Sequence, residues 1–261
     1  MAAVASEHVR RRSARVRGLV ATCLAGAAAL LLLGGVAAGD DRAAPTDRDL
    51  LRYAAHVGWR ITHDAGSHTF VCQQSGSAIY LGGNRFLTAA HVVDQNPLSD
   101  DCARFGIAAI EIETASSVLR ARVVRQTTWS LGDGGLAYPD NIDLALLEVD
   151  ARMLPLALRG LAPTQICAAE APAERPVKVA AQYGVYPAST RPSALPNLSR
   201  VAFRARAGHS GGGVYDPVQN CLLGIVSSGG TGGANYVSNQ ALRRFLSVPD
   251  GAGYAAPRRK S

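Results

Sequence analysis

The sequence lacks the features that would point to a metal site or to a nucleic-acid partner. None of its five cysteines forms a Cys-x-x-Cys pair, and no histidine lies at ligand spacing beside them, so we expect no metal site. The net charge of +7 comes from the ends of the chain, where five arginines precede residue 18 and three bases follow residue 257. Residues 39–256 hold 19 basic and 19 acidic residues. A neutral domain does not predict a phosphate-binding surface, so we expect no nucleic-acid partner.

Long helical patterns are scarce, whereas 27 glycines and 13 prolines are spread along the 261 residues. Between them lie short runs of β-branched and aromatic residues, a pattern typical of strands joined by tight turns. The predicted strands are Ser77–Leu81, Arg85–Thr88, Ile107–Ile112, Ala121–Arg125, Asp143–Val149, Val177–Gln182, Val201–Arg206 and Leu222–Ser227. Their number and length predict an all-β fold, either a sandwich or a pair of barrels.

Changes of pattern divide the chain into regions. Apolar residues recur at helical spacing from Asp47 to Trp59, which predicts a short amphipathic helix within a linker at residues 39–67. The folded domain is predicted over residues 68–248, with an N-terminal lobe at 68–150, a connector at 151–175, a C-terminal lobe at 176–238, a short helix capped by Asn239 and then a basic tail at 249–261. We expect no PDZ-like module after residue 250.

The first 38 residues predict export from the cytoplasm. Five arginines precede the uncharged segment Leu19–Ala38, and this order directs the following chain across a membrane. The segment has 20 residues, enough to span a bilayer and remain as an anchor. Val36-Ala37-Ala38 also resembles a signal-peptide cleavage site, so an anchor and a cleaved signal both remain open.

Cysteine usage agrees with export. Apart from Cys23 in the apolar segment, the chain has an even number of cysteines: Cys72, Cys102, Cys167 and Cys221. Four cysteines permit three connectivities. We favour two disulfides, Cys72–Cys102 and Cys167–Cys221, with buried free thiols as the alternative.

Three segments contain the residue types that activate a serine. They are Thr88-Ala89-Ala90-His91, Asp143-Leu144-Ala145-Leu146 and Gly208-His209-Ser210-Gly211-Gly212. A serine hydroxyl needs an imidazole to remove its proton, and the imidazole needs a buried carboxylate on its other nitrogen. The pattern predicts Ser210 as nucleophile, His91 as general base and acid, and Asp143 as the group that orients His91. Such a triad needs no cofactor.

The glycines around Ser210 predict a second component of the site. Glycine permits sharp backbone turns, which here would direct the N–H groups of Gly208 and Ser210 toward a developing oxyanion. These two N–H groups are therefore the predicted oxyanion hole.

In the chain order histidine, aspartate, serine, these motifs resemble the chymotrypsin/trypsin family of serine peptidases, particularly its exported bacterial members. A fourth segment, Leu223-Gly224-Ile225-Val226-Ser227-Ser228-Gly229, is similar to the strand that pairs with substrate in that family. The resemblance spans roughly residues 70–247. It implies two antiparallel six-stranded β-barrels with the active site between them, and a substrate pocket lined by Ser227, Ser228 and Gly229.

Two positions depart from the family or bear on specificity. His209 stands where vertebrate zymogen-type members have an aspartate that captures a freed N-terminus, so we expect no activation by that salt bridge. Arg204 lies where the family has the floor of the substrate pocket, and a cation there would favour acidic substrate side chains. The alternative is that Arg204 lies on the solvent face of an alternating strand.

The predicted function is a serine endopeptidase that hydrolyses proteins or peptides outside the cytoplasm. The enzyme would be periplasmic in a bacterium, secreted, or tethered to the inner membrane by Leu19–Ala38. Its activity should rise from about pH 6 to 8, because His91 must be neutral to act as a base. The alternative function is a catalytically silent protein of this fold that binds or regulates partners in the cell envelope. No sequence feature indicates whether the protein is a monomer or an oligomer.

Overall fold

The computed structural model describes residues 44–65, 68–94, 108–128, 130–132, 135–230 and 232–250. The predicted export segment Leu19–Ala38, residues 251–261 of the basic tail, and Cys102 lie outside these ranges. Among the helices within these ranges, none is both long enough and apolar enough to cross a membrane.

The described chain is built mostly of strands. In chain order they are β1 (Ala54–Ala65), β2 (His68–Gly82), β3 (Arg85–Thr88), β4 (Ile110–Glu113), β5 (Val118–Gln126), β6 (Ser130–Gly132), β7 (Gly135–Ala137), β8 (Ala145–Val149), β9 (Pro176–Ala181), β10 (Gly184–Arg191), β11 (Leu198–Val201), β12 (Gly213–Asp216), β13 (Cys221–Gly230) and β14 (Gly233–Ser238). The α-helices are short: α1 (Asp47–Leu51), α2 (Ala90–Val93), α3 (Leu156–Arg159) and α4 (Asn239–Ser247).

Twelve of these strands close into two antiparallel barrels of six. The first barrel has the order β1-β2-β3-β8-β5-β4, and the second has the order β10-β11-β14-β13-β12-β9. Strand β4 shows why the sequence forms such sheets: Ile110 and Ile112 are buried, whereas Glu111 and Glu113 are exposed. A period of two places one face of each strand in a core. The predicted all-β fold with two six-stranded barrels is confirmed.

The first helix is shorter than the sequence pattern predicts. Helix α1 ends at Leu51, and the chain continues from Ala54 as β1, so the prediction of a helix as far as Trp59 is wrong. Ala55 and Val57 are buried in the core of the first barrel. A short apolar run fits both the helical and the strand period, and its packing partners select between them. The first barrel therefore begins at Ala54 rather than at residue 68.

The prediction of a strand over Val201–Arg206 is also wrong, because β11 ends at Val201. Beyond that point the side chains still alternate, with Phe203 buried and Arg204 and Arg206 exposed. This segment leaves the barrel and leads into the loop that contains Ser210.

The predicted C-terminal helix is present as α4, with a different capping residue. The side chain of Ser238, rather than Asn239, accepts the N–H of Ala241 at 3.4 Å. An acceptor at this position satisfies one of the free N–H groups of the first helical turn.

One apolar cluster contains side chains from both barrels and from α4. Leu87 and Leu146 of the first barrel lie in it together with Ile225 of the second barrel and with Leu242 and Phe245 of the helix. Separating the barrels would expose this surface to water, which is unfavourable. The cluster thus holds the barrels together and fixes the cleft between them.

The structure contains a disulfide between Cys167 and Cys221, whose Cα atoms are 5.0 Å apart. It joins the connector between the lobes to the start of β13. The other favoured pair includes Cys102, which lies outside the described residues, so that bridge stays a prediction.

Candidate active site

His91 lies in a short helix that directly follows a buried strand. Strand β3 is buried from Phe86 onward, and α2 begins at Ala90, so His91 is the second residue of the helix. Ala89 and Ala90 are fully buried. These two small residues connect the strand to the helix without a loop, and the position of His91 is therefore tied to the first barrel.

Asp143 is buried beside this helix and holds His91 at two points. Its neighbours in the chain, Ile142 and Leu144, are fully buried, and Asp143 itself is only 2% exposed. Oδ1 accepts the backbone N–H of His91 at 3.0 Å, and Oδ2 lies 2.6 Å from His91 Nδ1. A carboxylate accepts hydrogen bonds, so the ring proton is on Nδ1 and His91 Nε2 is left as an acceptor.

Two opposing effects act on the protonation of His91. Burial of the imidazole lowers its pKa, whereas the hydrogen bond and the negative charge of Asp143 raise it. The effect of Asp143 prevails, so the pKa of His91 lies above its ordinary value of 6.5. A raised pKa makes the imidazole a stronger base, as the removal of a serine proton requires.

Ser210 lies in a sharp turn that only glycine permits on its C-terminal side. Gly211 has a φ of +85°, and a Cβ there would lie 1.9 Å from the carbonyl oxygen of Ser77. The N–H of Gly211 donates to the Val226 carbonyl at 2.7 Å, and the Ser210 carbonyl accepts the N–H of Ser77 at 2.7 Å. The backbone of Ser210 is thereby bound to both barrels.

Ser227 connects Ser210 with Asp143. The Ser210 hydroxyl donates to the Ser227 carbonyl at 3.4 Å, and the Ser227 hydroxyl donates to Asp143 Oδ2 at 2.6 Å. The helix of His91 packs close by, with Gly76 lying between Ser210 and Val92 of that helix. A Cβ on Gly76 would lie 2.6 Å from the Ser210 carbonyl oxygen and 2.7 Å from Val92. Hydrogen bonds through Ser227 and Asp143 therefore link the three residues that the sequence singles out.

The turn before Ser210 is held from both barrels. The Gly208 carbonyl accepts a hydrogen bond from the hydroxyl of Ser77 at 2.7 Å and one from the Gln182 side chain at 3.4 Å. Gly208 has a φ of +89°, and a Cβ there would lie 2.4 Å from Gln182. The positive φ is what favours glycine here, since Gln182 Nε2 is the end of a flexible side chain that can move.

Comparison with known proteins places the chain in a family. Residues 76–225, more than half of the chain, match the family described as the trypsin-like peptidase domain. The chain belongs to the trypsin-like peptidase family. It is a serine endopeptidase. A comparison with curated proteins gives no significant match.

Solved structures of serine proteases share the fold of this trypsin-like peptidase. The inactive form of the Rv3671c protease from M. tuberculosis is 16% identical, with a TM-score of 0.53 and coverage of 78% of this chain and 92% of that chain. The HtrA-type protease AlgW, solved with a decapeptide, is 17% identical, with a TM-score of 0.53 and coverage of 77% and 65%. A serine endoprotease from Yersinia pestis is 16% identical, with a TM-score of 0.52 and coverage of 77% and 66%. At this identity the similarity shows the fold alone.

An open cavity of about 970 Å³ lies beside Ser210 in this trypsin-like peptidase. Arg204 and Gly229, two of the residues predicted to bind substrate, line it together with Ser210. A Cβ on Gly229 would lie 2.8 Å from Cβ of Ala205. Glycine at residue 229 therefore keeps this part of the cavity open. Arg204 is exposed.

The other two predicted pocket residues make different contacts. The hydroxyl of Ser228 accepts a hydrogen bond from Asn235 at 3.2 Å, and the hydroxyl of Ser227 binds Asp143. Sequence reasoning missed the contact between Ser227 and Asp143, which are 84 positions apart. No local pattern indicates such a pair, because a polar residue at the start or end of a predicted strand, as at Asp143 and Ser227, is common without any such contact.

Ser77 is a further residue that sequence reasoning missed. Its hydroxyl donates to the Gly208 carbonyl at 2.7 Å and accepts the N–H of Gln182 at 3.0 Å, and the residue is fully buried. Gly208 is 131 positions away in the chain. The sequence signal at Ser77 is only its place at the start of a predicted strand.

Proposed function

We propose that this endopeptidase cleaves peptide bonds through an acyl-enzyme on Ser210, with His91 as general base and acid and Asp143 as the orienting group. The observation that supports the proposal is the two-point contact between Asp143 and His91, at 3.0 and 2.6 Å. Because Nδ1 donates to Asp143, Nε2 is the nitrogen available to take a proton from the Ser210 hydroxyl.

The reaction begins when Ser210 Oγ attacks the carbonyl carbon of the scissile bond and its proton passes to His91 Nε2. Negative charge then develops on the carbonyl oxygen, and we assign the N–H groups of Gly208 and Ser210 as its hydrogen-bond donors. One such donor typically contributes about 10²–10³ in rate. The C–N bond breaks as His91 returns the proton to the leaving amine. A water deprotonated by His91 then attacks the acyl carbon, and the bond to Ser210 Oγ breaks as His91 passes that proton to Oγ, which releases the acid.

A fluorophosphonate probe tests the nucleophile directly. Such a probe forms a bond to an activated serine oxygen with loss of fluoride, so we expect wild-type protein to be labelled and Ser210→Ala to remain unlabelled. Mass spectrometry of the tryptic peptides should place the label on Ser210. Ser116→Ala removes an exposed hydroxyl outside the site and serves as the matched control, which should be labelled like wild type.

Equal labelling of wild type and Ser210→Ala would contradict the assignment. A complete lack of labelling, together with no cleavage of a peptide library by correctly oxidised protein, would favour the alternative of a silent binding protein.

We also propose that the substrates are proteins or peptides outside the cytoplasm. The arginine cluster followed by Leu19–Ala38 supports export, and so does the disulfide between Cys167 and Cys221, since such bonds persist in oxidising compartments. We expect protein recovered from a bacterial host to be absent from the cytoplasmic fraction. N-terminal sequencing should show cleavage after Ala38 or an uncut chain in the membrane fraction. Uncut protein in the cytoplasmic fraction with both cysteines reduced would contradict the proposal.

A further inference from the structure

His209 immediately precedes Ser210, and its imidazole packs among aromatic rings of the second lobe. The ring centroid lies 5.0 Å from those of Tyr186 and Phe203 and 6.4 Å from that of Tyr183. The residue is 4% exposed. A polar ring in such a place is unfavourable unless its nitrogens are hydrogen-bonded, so its hydrogen bonds indicate what it does there.

The imidazole closes the turn that precedes Ser210. His209 Nδ1 accepts the backbone N–H of Arg206 at 3.0 Å, and the backbone N–H of His209 donates to the Arg206 carbonyl at 3.1 Å. The two bonds run in opposite directions between the same two residues. Because Nδ1 is an acceptor, the ring is neutral with its proton on Nε2.

Gly208 lies inside this turn. The Ser77 hydroxyl holds the Gly208 carbonyl at 2.7 Å from the first barrel, while the bonds between Arg206 and His209 hold the turn from the second barrel. The Gln182 side chain donates a longer bond of 3.4 Å to the same carbonyl. The direction of the Gly208 N–H therefore depends on these supports together, and of them only the one at His209 includes a group that titrates near neutral pH.

We propose that His209 is a positioning residue: by accepting the Arg206 N–H, its neutral imidazole holds the turn that directs the Gly208 N–H to the oxyanion, and its protonation releases that turn. The inference rests on the proposed oxyanion role of Gly208. It adds regulation of the same site by acidic pH.

The chemistry of the acceptor explains the release. Once protonated, Nδ1 is a donor that faces the Arg206 N–H, and two donors 3.0 Å apart cannot form a hydrogen bond. The imidazole and Tyr183, Tyr186, Arg204 and Arg206 face one cavity of about 590 Å³, and none of the described residues that line it is acidic. No carboxylate is thus available there to stabilise an imidazolium.

The same surroundings set the pH range of the switch. Burial lowers the pKa of His209, and the charge of Arg206 lowers it further. His209 is therefore neutral at pH 7 and takes up a proton only in acid, at a pH below 6.5. His91 must also be neutral for activity, and its pKa is raised, so the two histidines lose function at different pH values.

Two substitutions separate the hydrogen bond from the packing. His209→Phe keeps an aromatic ring in the cluster but removes the acceptor, and we expect kcat to fall about 100-fold with little change in KM, as when an oxyanion donor is lost. A peptide boronate, whose tetrahedral adduct needs the oxyanion donors, should bind about 100-fold more weakly. His209→Asn keeps an acceptor that does not titrate, and it should stay within about tenfold of wild type.

The pH profile supplies a readout that packing alone does not change. In wild type, log kcat/KM should fall with a slope of one below the pKa of His91. The slope should steepen to two over about two pH units below the pKa of His209, because protonation of His209 lowers the activity by a further factor of about 100. In His209→Asn the slope should remain one throughout. Circular dichroism at each pH restricts the analysis to folded protein.

The proposal is overturned if folded His209→Phe keeps the wild-type kcat, or if His209→Asn retains the slope of two. If His209→Phe does not fold, the slope of His209→Asn decides. Failure of the proposed function is a separate result: there, the fluorophosphonate does not label Ser210 of the wild type. Labelled wild type with unaltered His209 variants rejects only the role of His209.

Discussion

Replacing Ser210 with alanine should lower kcat/KM by about 10⁶-fold, the largest effect that we expect from any substitution in this endopeptidase. The variant retains His91 and Asp143 but has no oxygen to attack the carbonyl carbon, so only the oxyanion donors and substrate binding remain. These typically leave about 10³-fold catalysis over water. The measurement is the rate of cleavage of the best peptide from a library, followed by mass spectrometry over days so that a roughly 10⁶-fold difference in rate can be detected.

The same substitution should leave stability nearly unchanged. The Ser210 hydroxyl makes one long hydrogen bond, 3.4 Å to the Ser227 carbonyl, whereas the backbone bonds of residues 210 and 211 do not depend on the side chain. We expect the melting temperature to stay within about 2 °C of wild type. Ser116→Ala makes the same chemical change at an exposed site and should keep full activity. A loss below tenfold in folded Ser210→Ala would reject Ser210 as the nucleophile.

Replacing Asp143 with asparagine should lower kcat by about 10⁴-fold while preserving the shape of the site. From the described residues, Asp143 accepts three hydrogen bonds, two from His91 and one from Ser227. An amide has only one acceptor oxygen, so its NH₂ group would face a donor on at least one side. If it faces His91 Nδ1, the ring proton moves to Nε2, and the imidazole can no longer accept the proton of Ser210.

The contact between Asp143 and His91 also determines the direction in which the pH profile of Asp143→Asn shifts. Asp143 raises the pKa of His91, so wild-type activity rises with pH through a value above 6.5. Without the carboxylate that pKa falls, and the residual activity of the variant should extend to lower pH. If the activity of Asp143→Asn falls at the same acidic pH as that of the wild type, the assignment of Asp143 is contradicted.

Ser227→Ala is the matched control for Asp143→Asn, because it removes one hydrogen bond to Oδ2 but leaves the negative charge. We expect a loss of only about 10- to 100-fold, the usual size of one hydrogen bond to a charged group. A loss as large as that of Asp143→Asn would instead show that the hydrogen bonds to Oδ2, rather than the charge, determine the orientation of His91.

Much of the fold and of the candidate site was predictable because the signals are local. The alternation in β4 and the glycines that punctuate the chain indicate strands and turns without knowledge of their partners. Part of the need for glycine at residue 211 is also local, since its own φ is +85°. Identification of a trypsin-like peptidase followed from short motifs in a fixed order.

The errors arose where packing selected between patterns that both fit. The run from Asp47 to Trp59 matches a helix, but Ala55 and Val57 are buried as alternate residues of β1. The segment after Val201 alternates like a strand, yet it leaves the barrel for the Ser210 loop. Propensity is a weak signal when burial against distant strands stabilises the other structure.

By itself, the sequence determined the fold class, the order of the motifs and the three residues proposed for the triad. Those properties reside in side-chain chemistry and in spacing along a few neighbouring residues. Only the tertiary structure decided that Ser227 binds Asp143, that Ser77 supports Gly208 and that His209 closes the turn from an aromatic cluster. Each of these contacts depends on the directions of the hydrogen bonds that form when the two barrels close around the cleft.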